Sequence, residues 1–363
     1  MSTPSLKSTN VKQGMSDTQA ASIMLQTYTQ TVLATPDIQL PAEVDKESDS
    51  TVVEDLPKHQ ALARTNANFY ITDVNKTLVD TVAEVIGFAN LWNAEYARLQ
   101  DLASKIDEGN NKETFKQGVA NLISKSQDAE NNTQPALDAL NNFLPKIETD
   151  QRNLTTDEQH VSVALDGQSG QIAQLKKQID ADNDAINKDL AIIAGGATAD
   201  VVGGLMIAVG LLAEIETAGA STALVVGGLA LVAGGTTAMG IAGKNLSDTK
   251  SDLSAATKQL KIDELVNLST KQCSNTVVNL VSAISQGVNA VTSLQKGWSA
   301  LQSDFNQVIS QLDMANPDLG SWLSDILTAA NTDWQDTLTL AKSLQQYGTL
   351  PAKTEDHTQQ EAA

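Results

Sequence analysis

Between Asp189 and Lys244 the chain carries 54 residues with three formal charges, Asp200, Glu214 and Glu216, and no Lys, Arg or His. No other stretch limits the possible folds so tightly, because the rest is polar and the whole chain has a formal net charge of −20. Two segments in this window have the length of a bilayer span. Residues 190–213 (LAIIAGGATADVVGGLMIAVGLLA) and 218–243 (AGASTALVVGGLALVAGGTTAMGIAG) would each reach about 36 Å or more as a helix, against a hydrocarbon core of ~30 Å. The first supplies Leu190, Ile192, Ile193, Val201, Val202, Leu205, Met206, Ile207, Val209, Leu211 and Leu212 as candidate membrane-inserting residues. The second supplies Leu224, Val225, Val226, Leu229, Leu231, Val232, Met239 and Ile241. Between them Glu214, Ile215, Glu216 and Gly219 read as a polar hairpin tip. The window is therefore expected to be a helical hairpin of two passes.

Its glycines carry a second message. The pairs Gly195-Gly196, Gly203-Gly204, Gly227-Gly228 and Gly234-Gly235 cost a helix in water roughly 1 kcal/mol per residue. In lipid, small residues four apart, such as Ala199/Gly203 and Ala230/Gly234, let helices approach closely. A segment of this kind suits a part that refolds between water and lipid, although permanent spans are Gly-rich as well. Asp200 is awkward, since a carboxylate at mid-span costs about 2.5–3.5 kcal/mol on insertion scales. It is protonated, faces a water-filled lumen, or marks where the span begins; a lumen-facing position is the expectation adopted.

On both sides of the window the sequence reads as long helices. A first helix is expected from Asp17 to about Ala34, and TPDIQLPAE interrupts it at Pro36 and Pro41. From about Lys58, apolar residues step by three or four through Ile71, Val74, Leu78, Val82, Val85, Trp92, Leu99 and Ile106 until EGNN at 108–111. Residues 113–189 give one or two more helices, with interruptions expected around Pro135 and Pro145. Beyond the window Val277, Ile284, Val291, Leu294, Trp298, Leu301, Phe305, Val308 and Leu312 keep a coiled-coil-like period, and a last helix follows the turn ANPDLG. These heptads read as bundle core. The expected fold class is all-α, an elongated bundle of long antiparallel helices with an inserted hydrophobic helical-hairpin head. The expected divisions are a disordered tail at 1–16, bundle at 17–189, head at 190–243, bundle at 244–350 and a disordered tail at 351–363.

Composition closes several alternatives. A sequence pI near 4.4 and the lack of any basic block argue against a phosphate-neutralising nucleic-acid surface. One cysteine, Cys273, excludes an intramolecular disulfide framework and reads as a small helix-surface or semi-buried residue. The N-terminus shows no apolar core or cleavage-like site, so no secretory signal peptide is expected. His59, His160 and His357 are scattered; the first two read as helix-surface residues. Asp180-x-Asp182-x-Asp184 opens like a calcium loop but places Ala185 where glycine is required and Ala191 where the bidentate glutamate is required. Gly243-Lys244 resembles the end of a phosphate loop, yet Asn245 follows. No catalytic residues, cofactor or metal are expected, and the chain reads as a non-enzyme.

A long helix at 58–106, a Gly/Ala/Val/Leu-rich head at 190–243 and paired long helices entering and leaving it resemble the α-helical pore-forming toxins of the cytolysin A superfamily. They look most like the B component of a tripartite haemolysin or enterotoxin. The resemblance implies a secreted, soluble monomer with its head folded against the tail bundle. On a target-cell bilayer the head would extend and insert, with homo-oligomerisation and partner A and C subunits completing a lytic pore. An A component should alternate faces, whereas both segments here are apolar all round. The competing reading is a resident two-span membrane scaffold or phage structural protein with helical arms, which predicts the same hairpin.

Overall fold

The computed structural model describes residues 4–35, 37–40, 42–165, 205–217, 220–233, 262–314 and 318–348. Among these residues, helices α1 (Thr9–Ala34), α2 (Glu43–Ser48), α3 (Val52–Phe69), α4 (Asn75–Ser104), α5 (Asn111–Asn131) and α6 (Gln134–Leu165) precede two strands. The strands are β1 (Leu205–Thr217) and β2 (Ala220–Ala233), and helices α7 (Ile262–Leu312) and α8 (Leu319–Gly348) follow. The tail is thus a helical bundle, as its periodicity predicts. The head corrects the expectation of two helices: in this conformation its described residues form an antiparallel β-hairpin. Paired glycines weaken a helix in water, while the Val, Ile and Leu between them favour an extended chain.

The first helix begins earlier than Asp17, and residues 4–16 are not a frayed tail. Leu6, Val11 and Met15 are buried, so apolar burial fixes a start that local capping signals would have put eight residues later. At its other end Thr35 returns its amide and its hydroxyl to the Thr31 carbonyl, and Pro36 prevents continuation. The long helix also starts earlier, at Val52, with Glu54 and Asp55 in its first turn favouring the positive end of the helix dipole. Pro57 and Pro145 both lie inside helices without ending them. Pro145 forfeits one backbone hydrogen bond, and the burial of Phe143 and Ile147 beside it offsets that loss. A π-turn at Tyr70–Val74 joins α3 to α4 without a break. After α4 the chain turns through Gly109, whose positive φ of 54° suits glycine, and Asn111 Nδ2 ties the Lys105 carbonyl at 2.7 Å.

The bundle contains two cores in sequence along its axis. The first gathers the second half of α1, α2, α3, α6 and the first half of α7 around Leu25, Leu56, Phe143, Ile147 and Ile284. Leu165 and Val266, near the points where the chain leaves for the head region and returns from it, both join this core. The second core gathers the start of α1, α4, α5, the second half of α7 and α8. At its centre the rings of Phe88 and Trp334 lie 4.6 Å apart and those of Phe88 and Trp298 5.2 Å apart, with Trp92 and Phe305 beside them. Each buried tryptophan contributes roughly 4–6 kcal/mol of apolar burial before the entropy of ordering is counted. The N-terminal strap is sewn onto this cluster. Trp334 Nε1 donates to the Leu6 carbonyl at 2.9 Å, and Asp333 accepts from both the Ser8 amide at 2.6 Å and the Ser8 hydroxyl at 2.5 Å.

Helix α7 threads both cores and packs against α1, α5 and α6. Its stretch Ser269–Leu312 is, by length and composition, apolar enough to cross a membrane. Here those apolar residues are the bundle core: Leu280, Ile284, Val291, Leu294, Trp298, Phe305 and Val308 are buried.

Candidate functional site

The head hairpin pairs in two blocks of register. Leu205 pairs with Ala233 and Val209 with Leu229; after a shift, Leu211 pairs with Val226 and Thr217 with Ala220. The shift falls where Gly210 meets Gly227-Gly228, so one residue of β1 is opposed by two of β2. Glycine is the residue that accepts such a bulge most cheaply. Of the residues assigned to the polar tip, Glu214, Ile215 and Glu216 lie in the last pairs before the chain reverses, opposite Ala223, Thr222 and Ser221. Gly219 lies outside the described residues. In sequence, neither alternate set of β1 positions becomes polar before Glu214. A half-exposed strand in a soluble sheet alternates instead.

Of the candidate inserting residues, Leu205, Met206, Ile207, Val209, Leu211 and Leu212 belong to β1. Leu224, Val225, Val226, Leu229, Leu231 and Val232 belong to β2. Leu190, Ile192, Ile193, Asp200, Val201, Val202, Met239 and Ile241 lie outside the described residues, as do His357 and the C-terminal segment at 351–363.

The hairpin rests on the bundle: β1 runs against α1 and β2 against α7. These two helices are themselves locked at very short range. A Cβ on Gly14 of α1 would stand 2.5 Å from the Leu294 Cα of α7, and one on Gly297 of α7 would stand 3.0 Å from the Asn10 backbone. The α1/α7 pair that carries the head is therefore joined backbone to backbone, at a point within the second core.

In the first core lies a polar seam that sequence reasoning missed. His59 of α3 meets Asp157 of α6, Nδ1 to Oδ2, at 2.7 Å, so His59 is a partnered residue and its reading as a plain surface histidine is corrected. One antiparallel step along, Asn66 Nδ2 donates to both oxygens of Asp150 at 2.9 Å. Burial pushes the Asp150 carboxyl up to about 6 against the pull of the Asn66 hydrogen bond and of the His59 and Lys146 charges. Burial raises Asp157 as well, opposed first by its hydrogen bond to His59. Cys273 of α7 is buried rather than on the helix surface, and burial pushes its thiol up to about 12. A thiol held that far from ionising is not a nucleophile. Among the described residues, no group of three or more His, Cys, Asp or Glu side chains could hold a metal ion.

Comparison with known proteins gives this geometry its relatives. A family model described as Bacillus haemolytic enterotoxin (HBL) matches residues 5–189, just over half of the chain. Among solved structures, the HblL1 toxin component of Bacillus cereus superposes with a TM-score of 0.72 at 17% identity, covering 98% of this chain and 99% of that one. Soluble SmhB of the tripartite α-pore-forming toxin of Serratia marcescens gives 0.71 at 21% identity, covering 93% and 92%. Soluble AhlB of the tripartite α-pore-forming toxin of Aeromonas hydrophila gives 0.68 at 24% identity, covering 95% and 96%. The pore form of AhlB gives 0.53, so the fold described here is nearer the soluble arrangement of that protein than its assembled one.

Proposed function

The chain belongs to the Bacillus haemolytic enterotoxin family, and from that premise we propose that it is a pore-forming toxin subunit of the B type. It is exported as a soluble monomer and carries its membrane-inserting element folded against its own tail. One observation carries the reading: a hairpin that is apolar throughout except for Glu214 and Glu216 near its tip is laid onto the α1/α7 platform of an otherwise polar, strongly acidic bundle. An apolar surface of that size left open in water invites association, and packing against a helix pair hides part of it.

At a target-cell bilayer the hairpin leaves the platform and residues 190–243 rewind into two transmembrane helices. Every backbone group of such helices is satisfied within its own segment, which lipid demands. The head domain spans 190–243, the segments 4–189 and 244–350 form the tail, and the tip at Glu214, Ile215, Glu216 and Gly219 crosses. The tip carries only two carboxylates, which keeps the cost of crossing low. Copies of the chain assemble into a ring, with partner A and C subunits completing the lytic pore. Asp200 faces the lumen. If Asp200→Asn and Asp200→Ala leave conductance and ion preference unchanged, that assignment is wrong.

The test is dye release and co-sedimentation with phosphatidylcholine–cholesterol vesicles, using detergent-free protein alone and with candidate partner subunits. Soluble protein that moves to the lipid fraction and releases dye is the expected result. Protein that never dissolves without detergent, or that ignores vesicles in every combination, overturns the reading in favour of a resident anchor or a buried core.

A further inference from the structure

The contacts between α3 and α6 in the first core form a repeated unit. His59 pairs with Asp157, and seven residues later on α3 and seven earlier on α6, Asn66 pairs with Asp150. An antiparallel helix pair brings its partners into one seam at heptad spacing. Both carboxylates are buried, Asp150 at 1% and Asp157 at 2% exposure, in positions where the neighbouring turns of α6 supply Phe143, Ile147, Leu154 and Val161. A seam of this kind holds two helices in register while leaving charge in a place that disfavours it.

We propose that the heptad-spaced His59–Asp157 and Asn66–Asp150 pairs are a clasp, tightened in acid at its Asp150 limb, that sets how readily α3 parts from α6, and so how readily the first core opens. Its consequence for insertion rests on the pore-forming reading above.

The sign follows from the surroundings of Asp150. On α3 the charged and titratable groups facing the seam are Asp55 and His59, with Arg64 directed towards Asp37 and the Thr35 carbonyl. On α6 they are Lys146 and His160. From α7 comes the Cys273 thiol, which remains protonated, with Ser274 sharing a hydrogen bond with Thr155. Helix α2 also packs on α6, but its Asp45 caps the Val53 amide and its Glu43, Lys46 and Glu47 are exposed. Burial outweighs the cationic neighbours, so Asp150 holds its proton more tightly folded than unfolded. A group raised in this way lends its full stability below its unfolded value and loses it as pH climbs through its folded value, here about 6. The clasp is tight in mild acid and loosened at neutral pH.

Native-state hydrogen exchange of α3 and α6 amides in the lipid-free protein, compared at about pH 5 and about pH 8 after correction for intrinsic rates, tests this. The opening equilibrium of wild type should fall by about tenfold or more in acid. Asp150→Asn should flatten that dependence and protect the seam at the higher pH. Asn66→Ser, which removes the donor that tolerates the anion, should steepen it. Opposite effects from the two variants support the clasp. An unchanged dependence in Asp150→Asn, or the same direction of change in both, overturns it. The same proteins are then added to phosphatidylcholine–cholesterol vesicles with partner subunits, where dye release by wild type should slow in acid and Asp150→Asn should be slow at both pH values. Dye release indifferent to Asp150→Asn cuts the link from clasp to insertion. Dye release absent throughout overturns the membrane reading, while the exchange comparison still decides the clasp.

Discussion

Gly14 on α1 faces Leu294 on α7 so closely that a single added carbon would lie 2.5 Å from the Leu294 Cα and 2.6 Å from its amide nitrogen. Neither contact is the far end of a flexible side chain, so neither can move aside without displacing a helix. These are the two helices on which the head hairpin lies.

Gly14→Ala is therefore expected to destabilise the soluble protein by about 1–3 kcal/mol, the usual range for overpacking, in spite of its gain in helix propensity. Gly118→Ala is the control. Its new carbon would meet the ends of Arg98 and Leu99, which can swing away, and the substitution should be near neutral. Urea unfolding of the pair checks both, and equal midpoints would refute the rigid platform.

Trp334 should divide its contribution between packing and one hydrogen bond. Trp334→Ala is expected to cost about 3–5 kcal/mol. Trp334→Phe keeps most of the ring contact with Phe88 but abandons the Leu6 carbonyl, and should cost about 1–2 kcal/mol. Hydrogen exchange in the Phe variant should quicken at residues 6–12 before anywhere else. Uniform exchange along the chain would mean that the strap is not held there.

The Cys273 thiol, buried and pushed up to about 12, should resist a water-soluble disulfide reagent in the folded protein at neutral pH and react fully in denaturant. Because it sits on α7 opposite the α3–α6 seam, its labelling rate should follow the opening of that core. Prompt labelling of native protein would contradict the packing described.

A cross-strand disulfide should hold the head in its soluble form. Ala213 and Leu224 are direct partners in the hairpin, and partner residues in antiparallel strands lie within disulfide reach. Oxidised Ala213→Cys/Leu224→Cys protein should remain soluble yet fail to release vesicle dye, and reduction should restore release. Full activity in the oxidised state would mean that the hairpin need not rewind.

Much of the tail was legible because long helices write their packing into a three-to-four residue step. The run from Val277 to Leu312 reads as core, and in the structure Val277, Ile284, Val291, Leu294, Trp298, Phe305 and Val308 are buried. Helix starts were less legible. Residues 4–16 look polar one by one, and only their docking against Trp334 and α7 makes Leu6 and Met15 core residues. The head misled in a different way: its composition suits two helices in lipid, whereas its described residues pair as extended strands. The polar seam left a trace that went unread. Along α6 the buried stripe at 143, 147, 150, 154, 157 and 161 has an aspartate at two of its six places. A carboxylate on an apolar stripe signals a partner, but which helix supplies it depends on tertiary pairing.

Strands β1 and β2 hold 13 and 14 residues. Extended at ~3.3 Å per residue, a leg of that size is roughly 43 Å long, whereas the same residues wound as a helix measure only about 20 Å. The rewinding proposed above would thus be a contraction by about half, and a wound leg of that size is shorter than the ~30 Å it would have to bridge. On that proposal each leg would have to take in several residues that flank it in sequence. On the proposed insertion route the head would not unfold outward like a blade; it would work as a winch, drawing its own tethers, and with them the end of the bundle, down towards the lipid.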